Sequence, residues 1–163
     1  MGMMFRCERD VLVEALGHAG RAVTTRGGAL PVLAGVHLSL HDDELTVTGS
    51  DLDLTISVQV DVAGHEDGVA VLPSKLISDV VRSLRSGAVD VTIEDDDARI
   101  VAAPSEFAIR VIPADEFPEV STPEGDAVTL DAVAFRAAID QVGKAASSDD
   151  ARPILTGVLM AAE

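Results

Sequence analysis

The chain carries a copy of part of itself at the spacing of a whole domain, and this limits the available folds more than any other feature. Leu30-Pro31-Val32-Leu33-Ala34-Gly35-Val36 recurs as Arg152-Pro153-Ile154-Leu155-Thr156-Gly157-Val158. With an offset of 123 (Leu12 over Phe135) before a gap at Gly28, and 122 (Leu33 over Leu155) after it, Leu12 to His37 lies over Phe135 to Leu159. Eight pairs are identical: Ala15/Ala138, Gly20/Gly143, Ala22/Ala145, Ala29/Ala151, Pro31/Pro153, Leu33/Leu155, Gly35/Gly157 and Val36/Val158. Each copy reads as an apolar helix, a short polar loop, a proline and a strand. A period of this length is a domain rather than a solenoid repeat. The pattern predicts one complete domain over 1–122, then a linker and the incomplete start of a second over 123–163.

Inside the first domain a shorter duplication appears. Met4 to Glu8 reads as a strand. Val11, Leu12, Ala15, Leu16, Ala19, Ala22 and Val23 then share one helical stripe, with Asp10 placed to cap it. Three alternating runs follow: Val36 to Leu40, Leu45 to Val47, and Leu54 to Val62. Turns are expected at His41-Asp42-Asp43 and Gly49-Ser50-Asp51. The order then restarts. Val69 to Leu72 is a strand, and Ser74 is the expected N-cap of a helix whose stripe is Leu76, Ile77, Val80, Val81 and Leu84. Three more strands run through Val89, Ile100 and Phe107 to Val111, the first two joined by Glu94-Asp95-Asp96-Asp97. The reading is an α+β fold of duplicated β-α-β-β-β units, with antiparallel sheets buried on one face and both helices on one side. Pro113, Pro118 and Pro123 mark the linker. Val128 to Leu130 and a helix from Asp131, with Phe135, Ala138, Ile139 and Val142 on its stripe, restart the pattern.

The residue chemistry argues against an enzyme. There is no GxxxxGK[ST] phosphate loop, no Gly-x-Ser-x-Gly elbow and no HExxH. His18, His37, His41 and His65 read as surface residues with no metal spacing, so no metal site and no cofactor are expected. The runs at Asp42-Asp43-Glu44, Asp51 to Asp53 and Asp95 to Asp97 fall at turns, where aspartate is favoured for its local hydrogen bonds. Cys7 is the only cysteine, which excludes an internal disulfide and suits a reducing cytoplasm; it reads as a small apolar strand residue. No apolar run is long enough for a membrane span.

Charge is unevenly placed. The chain has 12 Lys and Arg against 28 Asp and Glu, a net charge of −16, which opposes general attraction to nucleic acid. Yet Arg9, Arg21, Lys75, Arg82, Arg85, Arg136 and Lys144 lie in the three expected helices, while the acids crowd the strand turns and the linker. The second helix carries Lys75, Arg82 and Arg85 against Asp79 alone. Either the basic helices line a surface that tolerates a phosphate backbone, or they are helix formers with solvated heads.

Five stretches resemble the bacterial sliding clamp family, the beta subunit of DNA polymerase III. They are Phe5-Arg6-Cys7-Glu8-Arg9, Leu30 to Gly35, Thr48-Gly49-Ser50-Asp51-Leu52-Asp53, Pro73 to Arg82, and Ser105-Glu106-Phe107 running into Ile112-Pro113-Ala114-Asp115-Glu116-Phe117-Pro118. The resemblance covers essentially the whole chain. It implies the DNA-clamp fold and a non-catalytic processivity factor of cytoplasmic DNA replication. Such a factor is a ring of head-to-tail three-domain chains that encircles duplex DNA, with helices lining the hole. DNA polymerase III subunits and the clamp loader would be its partners.

The DNA-binding positions implied are Arg26, Lys75, Arg82 and Arg152, and Arg152 and Leu155 match the partner-peptide cleft. The implied dimer seam uses Leu76, Ile77 and Asp79 of the second helix with Ser105, Glu106, Phe107 and Ile109 of the last strand. Glu106 stands where relatives can carry a base, which puts the usual pairing across the seam in doubt. The chain supplies one domain and part of a second where the ring needs three, so an incomplete chain is expected. The rival reading is a small non-catalytic cytosolic module that binds a full-length clamp or its loader. The apolar run Ile154 to Met160 is expected to be an unguarded edge strand. Self-association through 127–163, or disorder there in a monomer, is therefore expected, and truncation near residue 122 should leave a monomeric, no less stable domain.

Overall fold

The computed structural model describes residues 2–24, 30–118, 128–149 and 151–161. The chain divides into two compact units, Met1–Ser121 and Thr122–Glu163.

In the first unit the order is β1 (Met3–Glu8), α1 (Arg9–Ala19), β2 (Gly35–His41), β3 (Glu44–Ser50), β4 (Thr55–Asp61), β5 (Ala63–Glu66), β6 (Gly68–Pro73), α2 (Ser74–Ser83), β7 (Ala88–Glu94), β8 (Asp97–Ala102) and β9 (Ser105–Arg110). A 3-10 turn, Gly20–Ala22, extends α1, and another, Pro31–Ala34, leads into β2. The β-α-β-β-β order is present twice, as expected, and β5 is an addition. Ala63-Gly64-His65-Glu66 carries no alternating apolar pattern, so its pairing with β1 has no sequence signal.

The strand partners show how the two halves are joined. One sheet has the order β5-β1-β7-β8-β9, the other β4-β3-β2-β6. Each half thus gives its first strand to the meander of the other half. Met3 opposes Ile93 and Glu8 opposes Ala88 in one sheet, while Gly35 opposes Pro73 and Leu40 opposes Gly68 in the other. The duplication extends to the turns: Asp42 and Asp95, at the corresponding hairpins, both sit at φ 51°, a left-handed setting that aspartate tolerates. Alternation puts Phe5, Leu38, Leu45, Val47, Leu72, Val91 and Ile100 into one continuous core with Leu12, Leu16, Ile77 and Val81 from the helices. A smaller core joins Val32, Leu33 and Val71 to Ile112, Ala114 and Phe117.

Several details differ from the periodicity. Val11 is 38% exposed and Leu76 48%, because both flank the narrow stripe, Leu12, Leu16 and Ala19 or Ile77 and Val81, that meets the sheets. Neither expected side-chain cap forms. Glu8 and Pro73 occupy the N-cap positions without a side-chain bond, and Ser74 is buried as the first residue of α2. Asp10 lies in the first turn of α1 instead. β3 runs through Ser50, so its turn moves to Asp51–Leu54, where the Asp51 carboxylate accepts from Asp53 N at 3.1 Å and Leu54 N at 2.7 Å. Leu54 itself is exposed.

The second unit holds α3 (Ala132–Val142), capped by the Asp131 carboxylate accepting from Ala134 N at 2.8 Å. A 3-10 turn at Gly143–Ala145 follows, and another at Pro153–Leu155. These boundaries repeat those of the first unit at the offsets found in the sequence, and the local hydrogen bonds repeat with them. Thr24 N donates to Leu33 O at 3.2 Å, and Ser147 N to Leu155 O at 2.8 Å. Leu33 N donates to Leu30 O at 3.2 Å, and Leu155 N to Arg152 O at 2.9 Å. The expected strands at 128–130 and 154–160 are not formed. A strand needs a neighbour for its backbone groups, and no described residue of this unit supplies one. Ile154 and Leu159 are 90% and 93% exposed.

Candidate nucleic-acid interface

α1 and α2 lie side by side. Gly17 and Gly20, one helical turn apart, form the face of α1 toward α2. A methyl added at Gly17 would sit 4.0 Å from the Arg82 guanidinium, and one at Gly20 would sit 3.4 Å from Ser74 Oγ. Between the helices runs an open groove of about 460 Å³, whose charged lining is Arg21, Lys75, Asp79 and Arg82.

Most described cations outside this groove are paired, Arg85 and Lys144 excepted. Arg6 pairs with Asp90 at 3.2 Å, Arg99 with Glu106 at 2.6 Å, and Arg110 with Asp96 and Asp97 at 3.7 and 3.8 Å. In the second unit Arg136 pairs with Asp140 at 3.7 Å and Arg152 with Asp149 at 3.9 Å. Among the described residues, Arg21, Lys75 and Arg82 have no carboxylate within 4.0 Å. All three are exposed, so their charge is directed at solvent.

Arg9 was counted with the basic helix residues, but its charge is used internally. Its Nε donates to Val81 O at 3.2 Å and its Nη2 to Arg82 O at 2.5 Å, while its backbone N–H donates to Gly87 O at 2.8 Å. The first residue of α1 thereby caps the last turn of α2, satisfying free carbonyls and placing a cation at the negative end of the helix. Gly87, at φ 123°, turns the chain sharply enough to bring its carbonyl to Arg9.

Of the expected DNA-facing residues, Lys75 and Arg82 are brought together in the groove, and Arg26 lies outside the described residues. Arg152 belongs to the second unit, where Leu155, expected in the peptide cleft, is one 3-10 turn away and 49% exposed. Arg21 was missed. Its spacing of four from Gly17 puts it on the same helix face, but only the packing of α1 against α2 shows that this face borders the groove.

At the expected dimer seam, Leu76 and Asp79 are exposed on α2. β9 is the edge strand of its sheet, with Phe107 36% exposed and Ser105 half-buried. Ile77 and Ile109 are buried in the core of the unit, so their side chains cannot serve a seam: both lie on the inward phase of their elements. Glu106 is already paired with Arg99 across β8 and β9.

Among the described residues, the remaining titratable groups do not assemble a catalytic pair. Burial, aided by Glu8 and Asp90, pushes the Cys7 thiol from 9.0 up to about 11, which keeps it protonated and unreactive. His41, Asp42 and Asp67 bring ligand-type atoms within 4.8 Å of one another, all exposed. Asp67 Oδ1 accepts from Asp42 N at 2.8 Å, the kind of bond that shapes a turn. Among the described residues, no helix is long and apolar enough to cross a membrane.

Residues 3–121 match the family described as DNA polymerase III beta subunit, N-terminal domain. Among relatives, the beta sliding clamp of Streptomyces coelicolor is 33% identical over 156 residues, covering 96% of this chain and 41% of that protein. The DNA polymerase sliding clamp of Bacillus subtilis superimposes with a TM-score of 0.90 at 28% identity, covering 96% of this chain and 44% of that one. The DNA polymerase III beta subunit of Pseudomonas aeruginosa does so at 0.88 and 28%, covering 95% and 43%. The chain therefore spans about two-fifths of the length of the relatives it matches. The chain shares the fold of these proteins, and it belongs to the DNA polymerase III beta subunit family through its N-terminal domain.

Proposed function

We propose that this chain contributes to a non-catalytic replication clamp of the cytoplasm that encircles duplex DNA and tethers the replicative polymerase. The observation that carries this is the groove between α1 and α2. Its cations, Arg21, Lys75 and Arg82, have no carboxylate partner among the described residues, whereas most of the described arginines outside it are paired with carboxylates. Unpaired cations on a rigid helix pair suit transient contact with a phosphate backbone, and the acidic remainder of the surface prevents a tight grip. Polymerase subunits and the loader would be the protein partners, with Arg152 and Leu155 contributing to a peptide cleft. Leu76, Asp79, Ser105, Glu106 and Phe107 would form one side of a seam between copies. The exposed apolar side chains of the second unit, Ile154, Leu159 and Met160, favour self-association through 127–163.

Fluorescence anisotropy of labelled duplex DNA at low salt tests the groove. Weak binding is expected, with a log–log salt slope that falls by roughly one for each cation removed in Arg21→Ala, Lys75→Ala and Arg82→Ala. A triple variant that binds with unchanged affinity and slope would refute the assignment.

A further inference from the structure

After β9 the chain does not leave the first unit at once. Val111 N donates to Asp96 O and Ile112 N to Val71 O, both at 2.8 Å, so residue 112 forms an isolated bridge with β6. Ile112, Ala114 and Phe117 then pack onto Val32, Leu33 and Val71. Phe117 N closes a turn on Ala114 O at 3.0 Å. The Phe117 ring lies over the imidazole of His37, centroids 4.9 Å apart and planes 27° apart. His37 belongs to β2, on the outer face of the four-stranded sheet, between Thr48 of β3 and Val71 of β6.

We propose that residues 111–118 form an acid-released strap, whose hold on the four-stranded sheet is weakened when His37, covered by Phe117, takes up a proton. The cover removes water from the imidazole. A neutral ring tolerates that, whereas an imidazolium is better hydrated with the strap lifted. The groups around His37 set the sign. On the sheet side they are neutral: Ser39, Thr46, Thr48, Ser57 and Gln59. The carboxylates bordering its other side are Asp95 and Asp96, from the turn after β7, and Asp115 of the strap itself. These acids, and the face of the Phe117 ring, would favour the cation. Burial outweighs them and holds His37 below its ordinary 6.5.

The lifted state therefore binds more protons. The hold of the strap is complete above pH 6.5 and declines as the pH falls through the lowered pKa of His37. Release would return eight residues, 111–118, to the connection with the second unit, roughly 25 Å of extra contour.

The test is NMR on the full chain at about pH 7.5 and about pH 5.5. Imidazole resonances report His37, and hydrogen-exchange protection factors at Ile112 and Phe117 report the strap, against Leu38 and Leu72 as core references. The proposal expects His37 to titrate below 6.5 and strap protection to fall about threefold or more on acidification while the core references hold. Phe117→Leu, which keeps apolar bulk but removes the stack, should raise the His37 pKa. His37→Gln should abolish the acid dependence. The idea is overturned by a His37 pKa at or above 6.5 in the unaltered chain, by strap and core losing protection in parallel, or by His37→Gln retaining the acid loss.

Discussion

Replacing Arg9 with alanine should destabilise the first unit through a helix to which Arg9 does not belong. The side chain is 21% exposed, and its guanidinium donates to Val81 O at 3.2 Å and Arg82 O at 2.5 Å. Hydrogen bonds from a charged donor contribute about 1.5–3 kcal/mol when both partners are dry. Here the carbonyls end a helix near solvent and recover water once the side chain is gone, so about 1 kcal/mol each is the appropriate scale. A cation at the negative end of α2 adds about 0.3–1 kcal/mol. The Arg9–Asp10 contact at 2.6 Å is exposed on the acid's side and adds little. The sum is about 2.5 kcal/mol, or a fall in Tm of about 10 °C for a unit of this size. Thermal unfolding followed by circular dichroism measures it. Arg9→Lys should recover about half, because one ammonium keeps the charge but cannot fork across two carbonyls. Amide exchange should also accelerate at Leu84, whose N–H shares the Val81 carbonyl. A Tm loss below about 2 °C for the alanine variant, or a lysine variant equal to the parent, would show that α2 needs no such cap.

Gly49→Ala should cost about 1–3 kcal/mol in urea unfolding, since the added methyl would collide with the Ala19 carbonyl where α1 crosses β3, an overpacked contact; a loss below about 0.5 kcal/mol would mean α1 can shift freely. Cys7, with its thiol pushed from 9.0 up to about 11, should react with an aromatic disulfide near pH 8 about a hundredfold more slowly than an ordinary thiol. Reaction should be fast only after denaturation. Because the folded state holds the proton more tightly, the stability this thiol contributes is full below pH 9.0 and declines toward pH 11. Native reactivity equal to that of the denatured chain would contradict both statements.

Much of the fold was legible because its signals are local. Period two in Val36-Leu38-Leu40 and Val89-Val91-Ile93, and the stripe of Leu12, Leu16 and Ala19, each specify a buried face within one element. Details that depend on neighbours were not. Leu76 belongs to the stripe of α2 by spacing yet stands exposed beside it, and Ile77, expected at a seam, fills the core. β5 is a strand only because β1 offers it an edge, and Ile154 to Met160 is not a strand because no described residue of its unit does. The groove cations divide in the same way. Lys75 and Arg82 were legible from charge and spacing on one helix. Arg21 and the capping role of Arg9 required knowing that α1 lies against α2.

By itself the sequence determined the repeat, and with it the order and boundaries of its elements. The 3-10 turns after α1 and α3, and the bonds Thr24 to Leu33 and Ser147 to Leu155, recur because short-range sterics and hydrogen bonding act alike on alike segments. What only the tertiary structure decided is which strand completes which sheet. β1 and β6 are both short, apolar and followed by a helix, and both meanders present the same alternating face. No local period records that β1 pairs with β7 and β6 with β2. That choice belongs to the fit of two whole faces around one core, whose pairing partners lie more than eighty residues apart at Arg6 and Asp90.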